Sequence, residues 1–190
     1  MSRFSDDGPD DLDSLLAYGR WVGRRKAVLN GRPGLLALQS LERALLALPH
    51  KRLIEGGLCD GKGVCANGAW LYRHFVDNEG MTPKAAWKRL QSEGRSRPTL
   101  FGEYNSWEEL QRTGDLVSRH LQTTRTMAEV VAYENDEGVG YGGWSDKDQE
   151  RRYQRVLVWV QERIRLHPAT LAGASVVLDA LRIPVAEVVG

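Results

Sequence analysis

A run of leucines at helical spacing, held between two chain breaks, constrains the fold of this sequence most. The leucines recur every three or four residues, which places their side chains on one face of an α-helix. They are Leu35, Leu38, Leu41, Leu45 and Leu48. A segment rich in glycine and proline (residues 30–34) precedes the run, and Pro49 ends it. Because such an apolar face has to be buried against other elements, the run favours a helical domain.

Capping signals and apolar periodicity predict the other helices. Thr82 with Pro83 opens one helix, and three pairs three residues apart resemble capping boxes: Ser106 with Glu109, Thr126 with Glu129, and Ser145 with Asp148. The expected fold is mainly α, a single domain of about seven helices over residues 11–190 behind a flexible N-terminus at 1–10. The helical stretches are predicted at 11–29, 35–48, 69–76, 83–94, 106–122, 126–134 and 145–167, and Pro168 opens one more at 169–181.

One glycine-rich segment (residues 53–70) predicts a small β element. Leu58-Cys59 and Val64-Cys65 flank an Asp-Gly turn sequence at residues 60–63. Two short apolar segments around such a turn are typical of a β-hairpin. A lone hairpin must pack on helices to persist, so we expect Val64 and Cys65 in a strand, with Cys65 buried.

Charge and hydropathy exclude several classes of protein. The 26 basic and 25 acidic residues give a net charge of +1, which argues against coating nucleic acid by bulk charge but leaves a local basic patch open. The longest apolar run, at residues 44–48, is too short to cross a bilayer. The polar N-terminus lacks the apolar core of a signal peptide, so the expected location is the cytoplasm, with no membrane partner.

The two cysteines are predicted to be buried structural thiols. Cys59 and Cys65 are six positions apart, whereas zinc sites favour closer pairs joined by a second pair of ligands. His50 and His74 could supply that pair, but their spacing fits no zinc pattern. A metal site, a disulfide or a reactive thiol at Cys65 stays an alternative, and the prediction is no metal and no cofactor.

The segment from Tyr133 to Trp144 combines acidic, glycine and aromatic residues, and we expect it to be a loop after a helix. It does not follow the order of an EF-hand calcium loop. Loop aromatics and glycines make an adaptable contact surface, so the candidate partner-binding residues are Glu134, Asp136, Glu137, Tyr141 and Trp144. A plain structural loop and a metal or catalytic site are the alternatives.

The first helix carries a basic cluster that could hold a phosphate backbone. Its members are Arg20, Arg24, Arg25 and Lys26, and the alternative is an ordinary solvated helix surface. Elsewhere the sequence contains no phosphate-loop signature, no nucleophile elbow and no zinc-protease motif. Nothing in the sequence therefore points to a particular reaction.

Two ordered blocks of sequence resemble a family of uncharacterised small proteins encoded by tailed phages and prophages. The first block runs from Ala47-Leu48-Pro49-His50-Lys51-Arg52-Leu53-Ile54 to Gly63-Val64-Cys65-Ala66-Asn67-Gly68-Ala69. The second runs from Tyr133-Glu134-Asn135-Asp136-Glu137-Gly138 to Arg152-Tyr153 and Val158-Trp159-Val160. Asn67 stands where the family tends to have leucine. The resemblance implies a phage gene acting inside a bacterium, and it implies no reaction.

These features lead to three hypotheses of function. The first is a non-enzymatic interaction protein that binds and inhibits or modulates a host protein complex, a defence system such as CRISPR being one example. The second is a nucleic-acid-associated phage protein that uses the basic first helix. The third is a small enzyme centred on the acidic loop or on Cys65.

Overall fold

The computed structural model describes residues 12–60, 63–94, 107–136 and 145–171, and these are mainly α-helical. Seven helices have defined bounds: α1 Leu12–Asn30, α2 Arg32–Leu46, α3 Ala66–Asp77, α4 Pro83–Gly94, α5 Trp107–Leu121, α6 Arg125–Asp136 and α7 Asp146–Arg165. A further helical turn occupies residues 168–171. The predicted helical class is confirmed. The predicted segments at 1–10 and beyond 171 lie outside the described residues.

The leucine run forms the centre of the core. Leu38, Leu41 and Leu45 are fully buried, on the side of α2 that packs against α3 and α7. Val130 and Val131 of α6 belong to the same continuous apolar cluster. The helical spacing of the leucines therefore predicted correctly which side of α2 faces the protein interior.

The break predicted at residues 30–34 is shorter in the structure, since only Gly31 separates α1 from α2. Pro33 lies in the first turn of α2. Backbone amides in that turn have no partner within the helix, so the missing N–H of proline breaks no hydrogen bond there. Gly34 lies directly against the backbone of Val28, where a Cβ would collide with the carbonyl oxygen. The glycine thus allows the end of α1 and the start of α2 to touch.

The helix starts agree with the sequence in part. Ser145 caps α7 by accepting a hydrogen bond from the Asp148 amide at 3.2 Å, as predicted. The cap of α6 is Thr124, whose hydroxyl accepts from the Met127 amide at 3.1 Å, so the box predicted at Thr126 and Glu129 is wrong. Glu129 instead pairs with Arg125 one turn earlier. Ser106, the predicted cap of α5, lies outside the described residues.

The predicted β-hairpin is not seen among the described residues. Cys59 and Val64 form one isolated antiparallel bridge, and the Asp60 amide donates to the Gly63 carbonyl at 3.1 Å. Residues 61 and 62 lie outside the described residues. The pairing extends no further because Cys65 immediately becomes the N-cap of α3. Cys65 is buried, as predicted, but it caps a helix and does not lie in a strand.

Arg152 joins the segment after α2 to the last helix. Its side chain has no solvent exposure, and it donates to the Leu53 carbonyl oxygen at 3.1 Å and to the Glu55 carboxylate at 2.9 Å. A charged guanidinium is stable in a fully buried position only when it has hydrogen-bond and ion-pair partners such as these. The contact fixes residues 53–55 against α7. Within the described ranges, no helix is long and apolar enough to cross a membrane.

Candidate interaction surface on the first helix

Helix α1 leaves the body of the protein as it runs back toward its first residue. Leu15, Val22 and Leu29 are seven residues apart, so they lie along one side of the helix. Leu29 is 5% exposed, Val22 is 40% exposed and Leu15 is 52% exposed. The first two turns with described side chains, residues 15–20, are exposed at every position. Among the described residues, this half of α1 is therefore exposed to solvent.

The exposed half of α1 carries an apolar face. Leu15, Leu16 and Val22 are at least two-fifths exposed. A Cβ added at the nearby Gly19 or Gly23 would meet no atom within 4 Å outside the adjacent backbone of the helix itself. Exposed leucines elsewhere, such as Leu36 and Leu46, are on another helix. Grouped apolar side chains on a surface mark interaction sites more often than single ones do.

An aromatic and ionic cluster fixes α1 to α6 below that face. Arg25 forms an ion pair with Glu134, and its guanidinium lies 5.4 Å from the Trp21 ring centre and 5.1 Å from the Tyr133 ring centre. The two rings are themselves 5.3 Å apart. Cation–π contact and charge pairing together stabilise this junction. The cluster orients α1 and leaves its opposite side outward.

The structure thus joins two residues that the sequence assigned to different sites. Arg25 was predicted to bind nucleic acid and Glu134 to bind a partner, yet each neutralises the other. The remaining predicted basic residues, Arg20, Arg24 and Lys26, are exposed on α1. None of these three has an ion pair within the described residues. Arg20 and Arg24 lie at one edge of the apolar face, whereas Lys26, seven residues after Gly19, lies in line with it.

Glu134 and Asp136 lie within α6 and not in the loop that the sequence predicted. Helix α6 continues to Asp136 because the Asn135 side chain is buried in the interior. Asp136 accepts hydrogen bonds from the Gly56 amide at 3.2 Å and from the Asn135 amide group at 2.8 Å. Its carboxylate therefore holds the backbone at Gly56. Glu137, Tyr141 and Trp144 lie outside the described residues.

Cys65 has the surroundings of a structural thiol. It is 4% exposed, its sulfur accepts from the Gly68 amide at 3.4 Å, and burial raises the pKa of the thiol to about 12. Because the thiolate is the nucleophilic form, a thiol held protonated near neutral pH is a poor catalytic centre. Within the described residues, no group of three or more potential ligands could hold a metal ion.

Cys65 is therefore expected to resist thiol reagents in the native protein. Raising the pKa from 9.0 to about 12 lowers the thiolate fraction at pH 8 about a thousandfold, and burial adds to this protection. We expect Cys65 to be labelled at least ~100-fold more slowly in native protein than in denaturant. Mass spectrometry of timed labelling with a maleimide measures both rates. Equal rates in the two states would contradict the burial.

Charged side chains also cluster where α3, α4 and α5 meet. Arg89 pairs with Glu79 and, at 2.7 Å, with Glu93, and the His120 ring lies 2.9 Å from the second Glu93 oxygen. Burial lowers the pKa of the adjacent His74. The carboxylates of Glu79 and Glu93 are thus already paired with Arg89. The arrangement ties three helices together and offers no basis for assigning catalysis.

A groove of about 720 Å³ lies between α2, α3 and the turn from α5 to α6. Its volume is within the range of small-ligand sites. Arg73 on its wall is paired with Asp77 at 2.6 Å, and the Trp70 ring nitrogen donates to Ser40 at 3.0 Å. None of the predicted partner-binding or nucleic-acid-binding residues lines this groove.

The exposure of the apolar side chains of α1 was not predicted from the sequence. Leu15, Leu16 and Val22 have the helical spacing of core-forming residues, so the sequence alone favours their burial. The available signal was Gly19 and Gly23, since glycines within a helix weaken it and require another reason to be there. Comparison with known proteins adds no relative, because no family model, no curated protein and no solved structure matches the chain.

Proposed function

We propose that this chain is an interaction protein that acts by contact and performs no catalysis. The exposed face of α1 binds an apolar groove with an acidic rim on another protein. The observation that carries the proposal is the grouping of Leu15, Leu16 and Val22 outside the core. Amphipathic helices bind partners by laying such a face into a hydrophobic groove, read as anchors at helical spacing.

The charged residues of α1 indicate the chemistry of the partner. Arg20 and Arg24 lie at one edge of the apolar face and Lys26 lies within it, and all three are exposed and have no ion pair within the described residues. Charges at the rim of an interface steer the encounter and exclude wrong partners. An acidic rim on the partner matches these charges. In the phage setting that the sequence resemblance implies, the partner is a host protein complex, and a defence complex such as CRISPR is one example.

Nucleic acid is the second candidate partner, and the same three exposed basic residues favour it. Two observations weigh against it. Arg25 is neutralised by Glu134, and the leucines beside the basic residues contribute nothing to phosphate binding. Each phosphate contact releases counterions, so nucleic-acid binding would fall steeply as salt is raised.

Substitutions on α1 are expected to abolish capture of the partner. Leu16→Glu places a charge in the apolar face and Arg24→Glu reverses the charge at its edge, so each should weaken binding about tenfold or more. Val158→Glu is the matched control for the first, because Val158 is equally exposed on α7. Arg119→Glu on α5 is the matched control for the second. The immobilised full chain and its variants are incubated with nuclease-treated bacterial lysate, and the retained proteins are identified by mass spectrometry.

Capture alone does not support the proposal. Support requires a protein that is retained by the original chain and by both controls but lost with both α1 variants, and that binds when purified, as measured by calorimetry. A protein lost equally with the controls contradicts the proposal. Capture that occurs only in a parallel lysate without nuclease, and binding that survives Leu16→Glu, would favour nucleic acid instead.

A further inference from the structure

We propose that the groove between α2, α3 and the turn from α5 to α6 binds a nucleoside monophosphate, with the phosphate at Arg43 and the edge of the base at Asn78 and Gln122. All three residues line the groove. The site is separate from the exposed half of α1, so the inference goes beyond the proposed function and does not rest on it. Three properties of the groove favour this ligand: its charge, its hydrogen-bonding groups and its size.

The groove offers one positive charge to a ligand. Arg43 is exposed on α2, and no hydrogen bond or ion pair engages its side chain within the described residues. The second lining arginine, Arg73, is already paired with Asp77 at 2.6 Å. Burial lowers the pKa of His74, so its ring adds no charge at neutral pH. One guanidinium matches a single phosphate group, which it can bind through two parallel hydrogen bonds.

Two side-chain amides lie at one end of the groove. Asn78 follows α3 and Gln122 follows α5, and these helix ends are close because the rings of Phe75 and His120 are 5.2 Å apart. Neither side-chain amide has a hydrogen-bond partner within the described residues. Each has both donors and an acceptor, the combination with which asparagine and glutamine bind the edge of a base.

The backbone of Gln122 indicates that its side chain has a role. Its φ is 50°, in the left-handed region, and the Thr123 amide donates to the Ser118 carbonyl oxygen at 3.3 Å to close the end of α5. Glycine is usual at this position of a helix end, because a side chain is strained there. Among the described residues, Gln122 alone has a positive φ without being glycine. Strained residues of this kind concentrate at functional sites.

The groove has room for one nucleotide. Its volume is about 720 Å³, and such sites hold small organic molecules. Trp70, which donates to Ser40 of α2 at 3.0 Å, is eight residues before Asn78, or about 12 Å along α3. Arg43 is one turn from Ser40, so the cation and the amides are held apart along the groove. A free phosphate is too small to reach both, whereas a nucleotide carries its anion and its hydrogen-bonding edge at opposite ends.

Titration calorimetry of the full chain with the 5′-monophosphates of adenosine, guanosine, cytidine and uridine tests the inference. We expect at least one of them to bind with a Kd on the order of 10–100 μM, which is ordinary for a ligand of this size. Inorganic phosphate and the matching nucleoside are titrated in parallel. Each should bind about tenfold or more weakly than the nucleotide, because each reaches only one end of the groove.

Two variants test the two ends of the ligand separately. Arg43→Gln should weaken nucleotide binding about tenfold or more and leave nucleoside binding unchanged, because only the phosphate contact is lost. Gln122→Gly should weaken both about tenfold, while its Tm does not fall, since glycine fits the left-handed backbone better. Arg112→Gln is the matched charge control, because Arg112 is exposed on α5 and does not line the groove. This control should bind the nucleotide as the original chain does.

Each result decides the question. The inference is overturned if none of the four monophosphates binds at about 5 mM, or if only one of the two variants weakens the nucleotide. Inorganic phosphate that binds as tightly as the nucleotide would reveal an adventitious ion only, and an equal loss with Arg112→Gln would reveal unspecific charge attraction. Both results overturn the site. A lower Tm for Gln122→Gly overturns the assignment of Gln122 to the base. Partner capture through Leu16 should be the same for Arg43→Gln, so the proposed function is tested independently.

Discussion

Replacing Gly68 by alanine is expected to destabilise the protein by about 3 kcal/mol, the reverse of what this change does in an open helix. Gly68 lies in the first turn of α3, directly against the backbone of Leu58. A Cβ there would stand 2.9 Å from the Leu58 carbonyl carbon and closer still to its oxygen. Since the obstacle is backbone, the 58 segment or α3 has to shift, and overpacking of this kind costs a few kcal/mol.

Thermal unfolding followed by circular dichroism measures the effect. For a chain of this size, a loss of about 3 kcal/mol lowers the Tm by roughly 6–12 °C. Gly23→Ala is the matched control, because nothing lies within 4 Å of the corresponding position in α1. It should raise stability by up to ~1 kcal/mol through the helix preference of alanine. If Gly68→Ala left the Tm unchanged or raised it, the close approach of α3 to Leu58 would be refuted.

Replacing Asn135 by alanine is expected to cost about 3–4 kcal/mol. The Asn135 side chain is 1% exposed, its oxygen accepts from the Ala66 amide at 3.0 Å, and its nitrogen donates to the Ile54 carbonyl at 2.9 Å. Alanine leaves both backbone groups buried without partners, and each such loss costs roughly 1–3 kcal/mol. Urea unfolding of the variant and the original chain gives the difference.

Two further substitutions show whether the cost comes from these hydrogen bonds. Asp136→Ala removes an acceptor for the exposed Gly56 amide and for the Asn135 side-chain nitrogen, which keeps its bond to Ile54. Water can replace the contact at Gly56, so the cost should stay near ~1 kcal/mol. Asn135→Asp keeps an acceptor for the Ala66 amide but loses the donor to Ile54, so it should also be strongly destabilised. An Asn135→Ala variant no less stable than Asp136→Ala would show that the bridge contributes little.

Asn135 also shows why the sequence placed the end of α6 incorrectly. The polar and glycine-rich run that begins at residue 135 is typical of a loop. The sequence does not indicate which groups the Asn135 side chain binds. Those partners are backbone groups of residues 54 and 66, far away in the sequence. Only the folded structure brings these groups to the end of α6. Residues 135 and 136, whose sequence is typical of a loop, are therefore helical. The candidate partner-binding residues Glu134 and Asp136 therefore lie in a helix and not in a loop.

The hairpin prediction was wrong for a related reason. Asp60 and Gly63, on either side of the predicted turn, are in contact, since the Asp60 carboxylate accepts from the Gly63 amide at 2.7 Å. Local signals of this kind decide whether a turn forms, but strand length depends on what the flanking backbone binds. Here Cys65 caps α3 and the Ala66 amide binds Asn135. The strands are therefore replaced by helix capping and a side-chain bridge.

By itself, the sequence determined the helical class, the buried side of α2, the Ser145 cap and the burial of Cys65. Each follows from periodicity, composition or a contact three residues away. Only the tertiary structure decided that Arg25 neutralises Glu134 and that Leu15, Leu16 and Val22 face solvent while Leu29 faces the core. An apolar stripe has the same spacing whether its helix packs inward or outward. Which of the two occurs depends on where α6 places Tyr133 and Glu134 against α1.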